Sequence, residues 1–208
     1  MRPGLYQPTD LIVKYSVIGS GSIGTALATQ FAERGIEVAI TNTRGPESLV
    51  ALANSLGPAV RPVTLKEALE ASIIIFAMPF ASHEAVARAR ADWSGKTVID
   101  AMNYREMNLE PLGGLQSSDF VANALPGAKV VKTFNQLPAA LLARAPKEGR
   151  GRRVMFVAGN HEDANAEVAS LVSALGFAPI VLGRVDQGGR LLRYRGPLVL
   201  QNLIMLDE

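Results

Sequence analysis

A glycine-rich hexapeptide between a predicted strand and a predicted helix constrains the fold of this chain more than any other feature. Residues 11–18 (LIVKYSVI) form an apolar run that is typical of a buried strand, and residues 19–24 (GSGSIG) follow it directly. Residues 25–34 place apolar side chains at helical spacing, and residues 37–41 predict a second strand. In such a unit the glycines let the backbone approach a diphosphate, which the helix N-terminus attracts. The hexapeptide therefore predicts a nucleotide-binding turn, and a simple strand-to-helix connection is the alternative.

Strands alternating with helices continue along the rest of the chain. Apolar runs predict further strands at 59–63, 73–77, 97–100, 130–133, 154–158 and 179–182. Helical spacing predicts helices at 46–57, 82–92, 119–125, 163–175 and, interrupted near Gly196, at 190–205. This alternation implies a Rossmann-type doubly wound α/β sheet, mostly parallel, with extra C-terminal strands and a C-terminal helix. Residues 1–208 contain no low-complexity linker, so a single domain is expected.

Composition narrows the classes of site and partner. The absence of cysteine excludes disulfides and thiolate chemistry, and no acidic or histidine cluster has the spacing of a metal site. A net charge of +2 gives no reason to expect nucleic-acid binding. The basic run 147–153 is interpreted as a solvated loop, because no aromatic side chains interleave with it. No apolar stretch could span a membrane, and residues 1–11 lack the apolar segment of a signal peptide, so a cytoplasmic location is expected.

The end of the second predicted strand favours NADP over NAD. NAD-binding members of this fold usually carry an acidic residue there, which accepts hydrogen bonds from the ribose hydroxyls. This chain has Asn42, Thr43 and Arg44 instead, and its next carboxylate is Glu47. An amide, a hydroxyl and a guanidinium would attract a 2′-phosphate. We therefore predict a 2′-phosphate clamp at 42–44, with an ordinary polar loop as the alternative.

Few side chains are candidates for acid–base chemistry, and no catalytic residue is assigned. His83 falls in the first turn of a predicted helix, where a solvated position is favoured over one facing a cleft. His161 is interpreted as structural, since it stands in a turn that leads into a helix. Asp100, at a strand end, is interpreted as a cap or loop anchor.

Three further segments complete a resemblance to a known family. They are residues 76–79 (FAMP), 98–103 (VIDAMN) and 131–139 (VKTFNQLPA). Together with the glycine-rich turn they resemble the coenzyme F420-dependent NADP oxidoreductases, which include archaeal F420H2:NADP oxidoreductases and the cytoplasmic domains of STEAP-type metalloreductases. The resemblance implies that NADP(H) contacts Gly19, Ser20, Gly21, Ser22, Ile23, Asn42, Thr43, Arg44, Met78, Pro79, Asn103 and Ala139.

The resemblance also implies hydride transfer between NADPH and a small-molecule electron acceptor that stacks on the nicotinamide. Asn135, Leu137 and Gln187 are the implied acceptor-binding residues. Asn135 stands where archaeal members carry a histidine beside the deazaflavin, so F420, FMN and FAD all stay open as acceptors. An NADP-binding sensor without turnover and a reductase of small carbonyls or imines are the alternatives.

The C-terminal segment raises the question of a partner subunit. Arg190, Arg193 and Arg195 can meet an acidic or phosphorylated acceptor, or flank a subunit interface. The predicted last helix is apolar on all sides, which favours burial against a second subunit over packing on its own core. Members of the family are often dimeric, so a homodimer is expected.

Overall fold

Six parallel strands form the centre of the molecule. The computed structural model describes residues 13–106 and 108–207. In chain order the strands are β1 Tyr15–Ile18, β2 Val38–Thr41, β3 Val60–Pro62, β4 Ile73–Phe76, β5 Thr97–Asp100 and β6 Lys129–Lys132. All neighbouring pairs among them are parallel, and their spatial order is β3-β2-β1-β4-β5-β6. This is the strand order of the Rossmann fold, so the predicted doubly wound α/β sheet is confirmed.

Helices cover both faces of this sheet and create two apolar cores. Their bounds are α1 Ser22–Glu33, α2 Val50–Leu56, α3 Leu65–Ala68, α4 His83–Ala87, α5 Ser117–Asn123, α6 Ala139–Leu142 and α7 Glu162–Ala174. Successive side chains of β4 enter opposite cores: Ile73 and Ile75 pack on the side of α1 and α7, while Ile74 and Phe76 pack on the side of α3 to α5. Burial on both faces explains why this strand is an uninterrupted apolar run.

A second group of strands extends the sheet beyond β6. These strands are β7 Lys147–Glu148, β8 Gly151–Gly159, β9 Ala178–Val181 and β10 Ile204–Leu206. Strand β8 is antiparallel to β6, and only its last residues, Ala158 and Gly159, pair with that strand. The rest of β8 therefore extends past the carboxyl end of β6, where it pairs with β7, β9 and β10.

The side chain of Gln136 fixes this overhanging part of β8. Its Oε1 accepts a hydrogen bond from the backbone N–H of Phe156 at 2.8 Å, and its Nε2 donates to the carbonyl of Val154 at 3.2 Å. Gln136 is fully buried and follows β6 in the chain. The side chain of Gln136 thus forms hydrogen bonds with backbone groups of β8 at positions where this edge has no neighbouring strand.

The predicted C-terminal helix at 190–205 is wrong. The chain makes a short 3₁₀ turn at Gly188–Leu192, continues through turns, and ends in the edge strand β10. Arg195 and Leu200 adopt positive φ angles of 58° and 68°, which an α-helix does not allow. The backbone of this segment forms only turn hydrogen bonds with itself, and its later residues bond to β8 and to the carbonyl of Gln136.

The basic run 147–153 is also not a solvated loop. It forms the hairpin of β7 and β8, in which Lys147 pairs with Arg152. Arg153 is buried, where its guanidinium donates to Asn202 Oδ1 at 3.1 Å and contacts the Glu148 carboxylate. The burial of Arg153 depends on Asn202, a partner 49 residues away that the local pattern does not show.

The first predicted strand begins at residue 11, but residues 11 and 12 lie outside the described residues. Pro62 lies in the edge strand β3, as its missing N–H requires. Within the described residues, none of the helices combines the length and the apolar character needed to cross a bilayer.

Candidate functional site

The loops that follow the parallel strands carry the predicted site residues. Residues 19–23 follow β1, residues 42–44 follow β2, and Met78 is the second residue after β4. Asn103 and Asn135 come after β5 and β6. Because the carboxyl ends of parallel strands lie at one edge of the sheet, these segments share that edge. Connections from β1 and β4 leave in opposite directions, which makes this the crevice where such sheets bind ligands.

Two glycines of the turn are required by close backbone packing. Gly19 has a φ of 112°, and a Cβ on it would lie 2.4 Å from the carbonyl oxygen of Ala77 in the loop after β4. A Cβ on Gly24 would lie 1.8 Å from the carbonyl oxygen of Gly19 itself. The turn is therefore pressed against β4 on one side and against helix α1 on the other.

The third glycine, Gly21, faces open space. It is exposed, and a Cβ added to it would meet no atom of the protein within 4 Å. It is also the N-cap of the 12-residue helix α1, which has no side-chain cap and no acidic residue in its first turn. The first N–H groups of α1 and the positive end of its dipole thus point to an open cradle. A diphosphate fits such a place by charge and by hydrogen bonding.

Asn42 joins the loop after β2 to the glycine-rich turn. Its Nδ2 donates to Ser20 Oγ at 2.9 Å and to Ser48 Oγ at 3.0 Å, and its Oδ1 accepts from the backbone N–H of Arg44 at 2.8 Å. Thr43 and Arg44, which follow Asn42 in the chain, are exposed. The loop therefore presents a hydroxyl and a guanidinium to solvent, while Asn42 holds its backbone in shape. Ser48 was not predicted, because a serine early in a helical segment carries no motif.

Met78 and Pro79 lead into a cluster of aromatic rings. Met78 is half-buried and Pro79 is exposed. The Phe80 ring lies 4.7 Å from the His83 ring and 5.0 Å from the Tyr104 ring, measured between centroids, and Phe120 completes the cluster. Tyr104 comes from the loop after β5, so the cluster joins the loops of two neighbouring strands.

The predicted solvated position of His83 is wrong. This side chain is only 2% exposed, and its Nδ1 donates to the carbonyl oxygen of Phe80 at 2.6 Å. Its Nε2 is buried and has no hydrogen-bond partner among the described residues. The rings of Phe80 and Phe120 cover the imidazole, and neither contact follows from helical spacing.

Asn103 and Asn135 bond to each other where the loops after β5 and β6 meet. Asn135 Nδ2 donates to Asn103 Oδ1 at 3.0 Å and to the carbonyl of Leu192 at 2.8 Å. Asn103 Nδ2 donates in turn to the carbonyl of Asn135 at 3.3 Å. The pair therefore ties the nucleotide-binding half of the sheet to the C-terminal turn at Gly188–Leu192.

The remaining predicted residues lie in different environments. Leu137 is 3% exposed and packs in the core on the α1 side, so its side chain does not face the crevice. Ala139 is half-buried at the start of α6 and packs against the same core. Gln187 is exposed at the start of the turn that bonds Asn135. Arg190, Arg193 and Arg195 are exposed in and after that turn.

Comparisons with known proteins bear on the residues of this site. Residues 14–104 match the model of the family described as NADP oxidoreductase, coenzyme F420-dependent. A protein assigned as an F420-dependent NADP-reductase from Arthrobacter sp. FB24 has 30% sequence identity and a TM-score of 0.69, over 86% of this chain and 89% of that one. This chain belongs to the coenzyme F420-dependent NADP oxidoreductase family.

Two other relatives extend the comparison. The hypothetical protein SMa0349 of Sinorhizobium meliloti is 43% identical, with a TM-score of 0.87 over 94% of this chain and 96% of its own. Metalloreductase STEAP3 of Rattus norvegicus is 30% identical over 173 residues, which make up 82% of this chain. The chain spans 34% of the length of that metalloreductase.

Membership in the F420-dependent NADP oxidoreductase family supports NADP(H) as the cofactor. The segment matched to the family model contains the glycine-rich turn, the 42–44 loop, Met78, Pro79 and Asn103. Asn135, Leu137 and Gln187 lie beyond it. The family match therefore bears on the nucleotide side of the crevice, and the identity of the acceptor is a separate question.

Proposed function

We propose that this protein transfers hydride between NADP(H) and a planar electron acceptor of the deazaflavin or flavin type. The observation that carries the proposal is the open cradle at Gly21. An uncapped helix N-terminus meets open space there, and the absence of a Cβ lets a ligand approach the backbone closely. This cradle accommodates the diphosphate that every nicotinamide dinucleotide contains.

The loop at 42–44 selects the phosphorylated cofactor in this proposal. Asn42 holds the backbone of Arg44, and the exposed guanidinium and the Thr43 hydroxyl are then available for a 2′-phosphate. The nearest carboxylate in sequence, that of Glu47, lies beyond Pro46 in the following 3₁₀ turn, so no acidic residue directly follows β2. Guanidinium–phosphate hydrogen bonds are among the strongest that a protein surface offers.

The nicotinamide would lie between the loops after β4, β5 and β6. When bound, NADPH supplies the hydride that the acceptor takes up, so the protein needs no strong acid or base of its own. Met78 and Pro79 would contact the nicotinamide ribose, with Asn103 and Ala139 nearby. The contribution of these residues is orientation and exclusion of water.

The acceptor would occupy the side of the crevice next to the part of β8 that extends past the carboxyl end of β6. Asn135 and Gln187 remain our proposed acceptor contacts. Asn135 is as buried as Leu137, at 3% exposure, but its amide lies where the loops after β5 and β6 meet, whereas Leu137 packs in the core on the α1 side. F420, FMN and FAD are the candidate acceptors, since each offers a flat ring that can stack on the nicotinamide.

Mixing the protein with NADPH and one candidate acceptor at a time tests this proposal. We expect loss of the nicotinamide absorbance band with at least one of F420, FMN or FAD, each of which can accept a hydride. Turnover with a keto acid or an imine alone would favour the carbonyl or imine reductase. Tight NADPH binding without turnover of any acceptor would favour the sensor, and no binding of NADPH would overturn the proposal.

We further propose that a second copy of this chain covers the edge strand β10. Exposed apolar side chains concentrate there, with Leu200 at 70% and Leu206 at 72% exposure, accompanied by Leu203 and Met205. Strand β10 ends the sheet in the described part of the chain, so its outer edge is available for pairing with an identical strand.

Substitution at this edge should therefore change the oligomeric state. We expect Leu206→Glu to shift the protein from dimer to monomer in light scattering after gel filtration, because each copy would bring a charge into an apolar contact. Val50→Glu is the matched control, since Val50 is 49% exposed near the opposite edge of the sheet. A wild-type protein that is monomeric at high concentration would contradict the proposed dimer.

A further inference from the structure

A buried ion pair lies directly behind the crevice, at the ends of β5 and β6. Lys132 Nζ and Asp100 Oδ2 are 3.1 Å apart, and the two residues are 3% and 0% exposed. The two residues are also register partners in the parallel pair of β5 and β6. Burying two charges costs several kcal/mol per ion before their attraction offsets it, so such a pair is weak evidence for stability alone.

Both members of the pair hold the same residue of the loop after β5. The backbone N–H of Met102 donates to Asp100 Oδ1 at 3.0 Å, and Lys132 Nζ donates to the carbonyl oxygen of Met102. Ser118 Oγ donates to Asp100 Oδ2 at 2.6 Å and orients the carboxylate from α5. The Asp100 carboxylate thus fixes the backbone N–H of Met102, and the Lys132 ammonium fixes its backbone carbonyl.

The next residue in the chain is Asn103, which bonds Asn135 across the crevice. A fixed Met102 restricts where Asn103 can lie, and the bond between the two asparagines carries this restriction to the loop after β6. Neither charged side chain reaches the crevice itself, since both are buried. Their effect on a ligand must therefore pass through the backbone of Met102.

We propose that Asp100 and Lys132 are positioning residues, which hold Met102 from both sides so that Asn103 can orient the nicotinamide ring. This inference rests on the proposed function, because it requires NADP(H) in the crevice. Small displacements of groups that orient a reacting ring have large effects on hydride transfer.

The test compares two ligands that share the adenosine end of the cofactor. One is NADPH, and the other is 2′,5′-ADP, which lacks the nicotinamide. The main variant is the double substitution Asp100→Asn with Lys132→Met, which removes both charges and leaves no unpaired one in the interior. Val168→Ala, on the buried face of α7, is the matched control for a loss of stability elsewhere.

We expect the double variant to bind 2′,5′-ADP as the wild type does, because the 42–44 loop is unchanged. Its affinity for NADPH should fall by roughly three- to tenfold, the usual effect of one lost hydrogen bond. The fluorescence lifetime of bound NADPH should move toward that of the free cofactor, since the nicotinamide ring is less immobilised. Val168→Ala should lower the melting temperature without changing this lifetime.

A folded double variant with the wild-type lifetime and NADPH affinity would overturn the inference. Should the double variant not fold, Asn103→Ala decides the question: the half-buried Asn103 is expected to fold normally and to show the same loss of lifetime, and a wild-type lifetime would again overturn the inference. A wild-type protein that binds neither ligand would instead overturn the proposed function, and this inference with it.

Discussion

Gly21→Ala is expected to lower the affinity for NADPH on the order of 100-fold, about 2.7 kcal/mol, in a protein that folds normally. The added methyl group would meet no atom of the protein within 4 Å, but it would occupy the cradle at the start of α1. Alanine at an N-cap position should cost no more than about 1 kcal/mol of folding stability. Titration calorimetry with NADPH and thermal unfolding measure the two effects separately.

Gly24→Ala is the contrasting variant in the same turn. Its Cβ would lie 1.8 Å from the carbonyl oxygen of Gly19, so the turn or the helix must move. We expect a loss of about 3 kcal/mol or more in the free energy of unfolding, because backbone atoms cannot yield as side chains do. If Gly21→Ala bound NADPH as tightly as the wild type, the diphosphate would not occupy this cradle.

Arg44→Ala is expected to weaken binding of NADPH by roughly 10- to 100-fold and to leave the affinity for NADH within about threefold of the wild type. A hydrogen bond to a charged group contributes about 1.5 to 3 kcal/mol, and only NADPH carries the 2′-phosphate that Arg44 would bind. Calorimetric affinities for both cofactors give the ratio directly, at a fixed and low salt concentration.

Arg88→Ala controls for the loss of one positive charge. Arg88 is an exposed arginine that directly follows α4 and pairs with Glu84. We expect this variant to bind both cofactors as the wild type does. Equal losses for NADPH and NADH in Arg44→Ala would mean that Arg44 contacts the shared part of the cofactor, and the proposed 2′-phosphate clamp would then be wrong.

The nucleotide-binding half of the fold could be predicted because its signals are local. Strand β1, the turn at 19–24 and helix α1 are contiguous, and glycine, helical spacing and apolar runs report directly on backbone geometry. The same applies to β4, whose apolar run follows from burial on both faces of the sheet. The four-residue helices α3 and α6 were missed, since one turn is too short to show a period.

Other features of the site depend on partners that are distant in the chain. His83 is buried because Phe120 packs against it from another helix. The pairing of Asp100 with Lys132 had a signal, since opposite charges end two adjacent predicted strands. It becomes visible only when the order of the strands is known.

The sequence alone predicts the doubly wound sheet and, within some thirty contiguous residues, the turn and the loop that we propose to bind NADP(H). Only the tertiary structure decides the course of the C-terminal segment. Residues 190–205 have the composition of an apolar helix, yet their backbone forms a turn and an edge strand. Their hydrogen-bond partners lie in β8 and at Gln136, more than forty positions away in the chain. A local sequence pattern shows the helical preference of a segment, but it does not show the distant partners that override this preference.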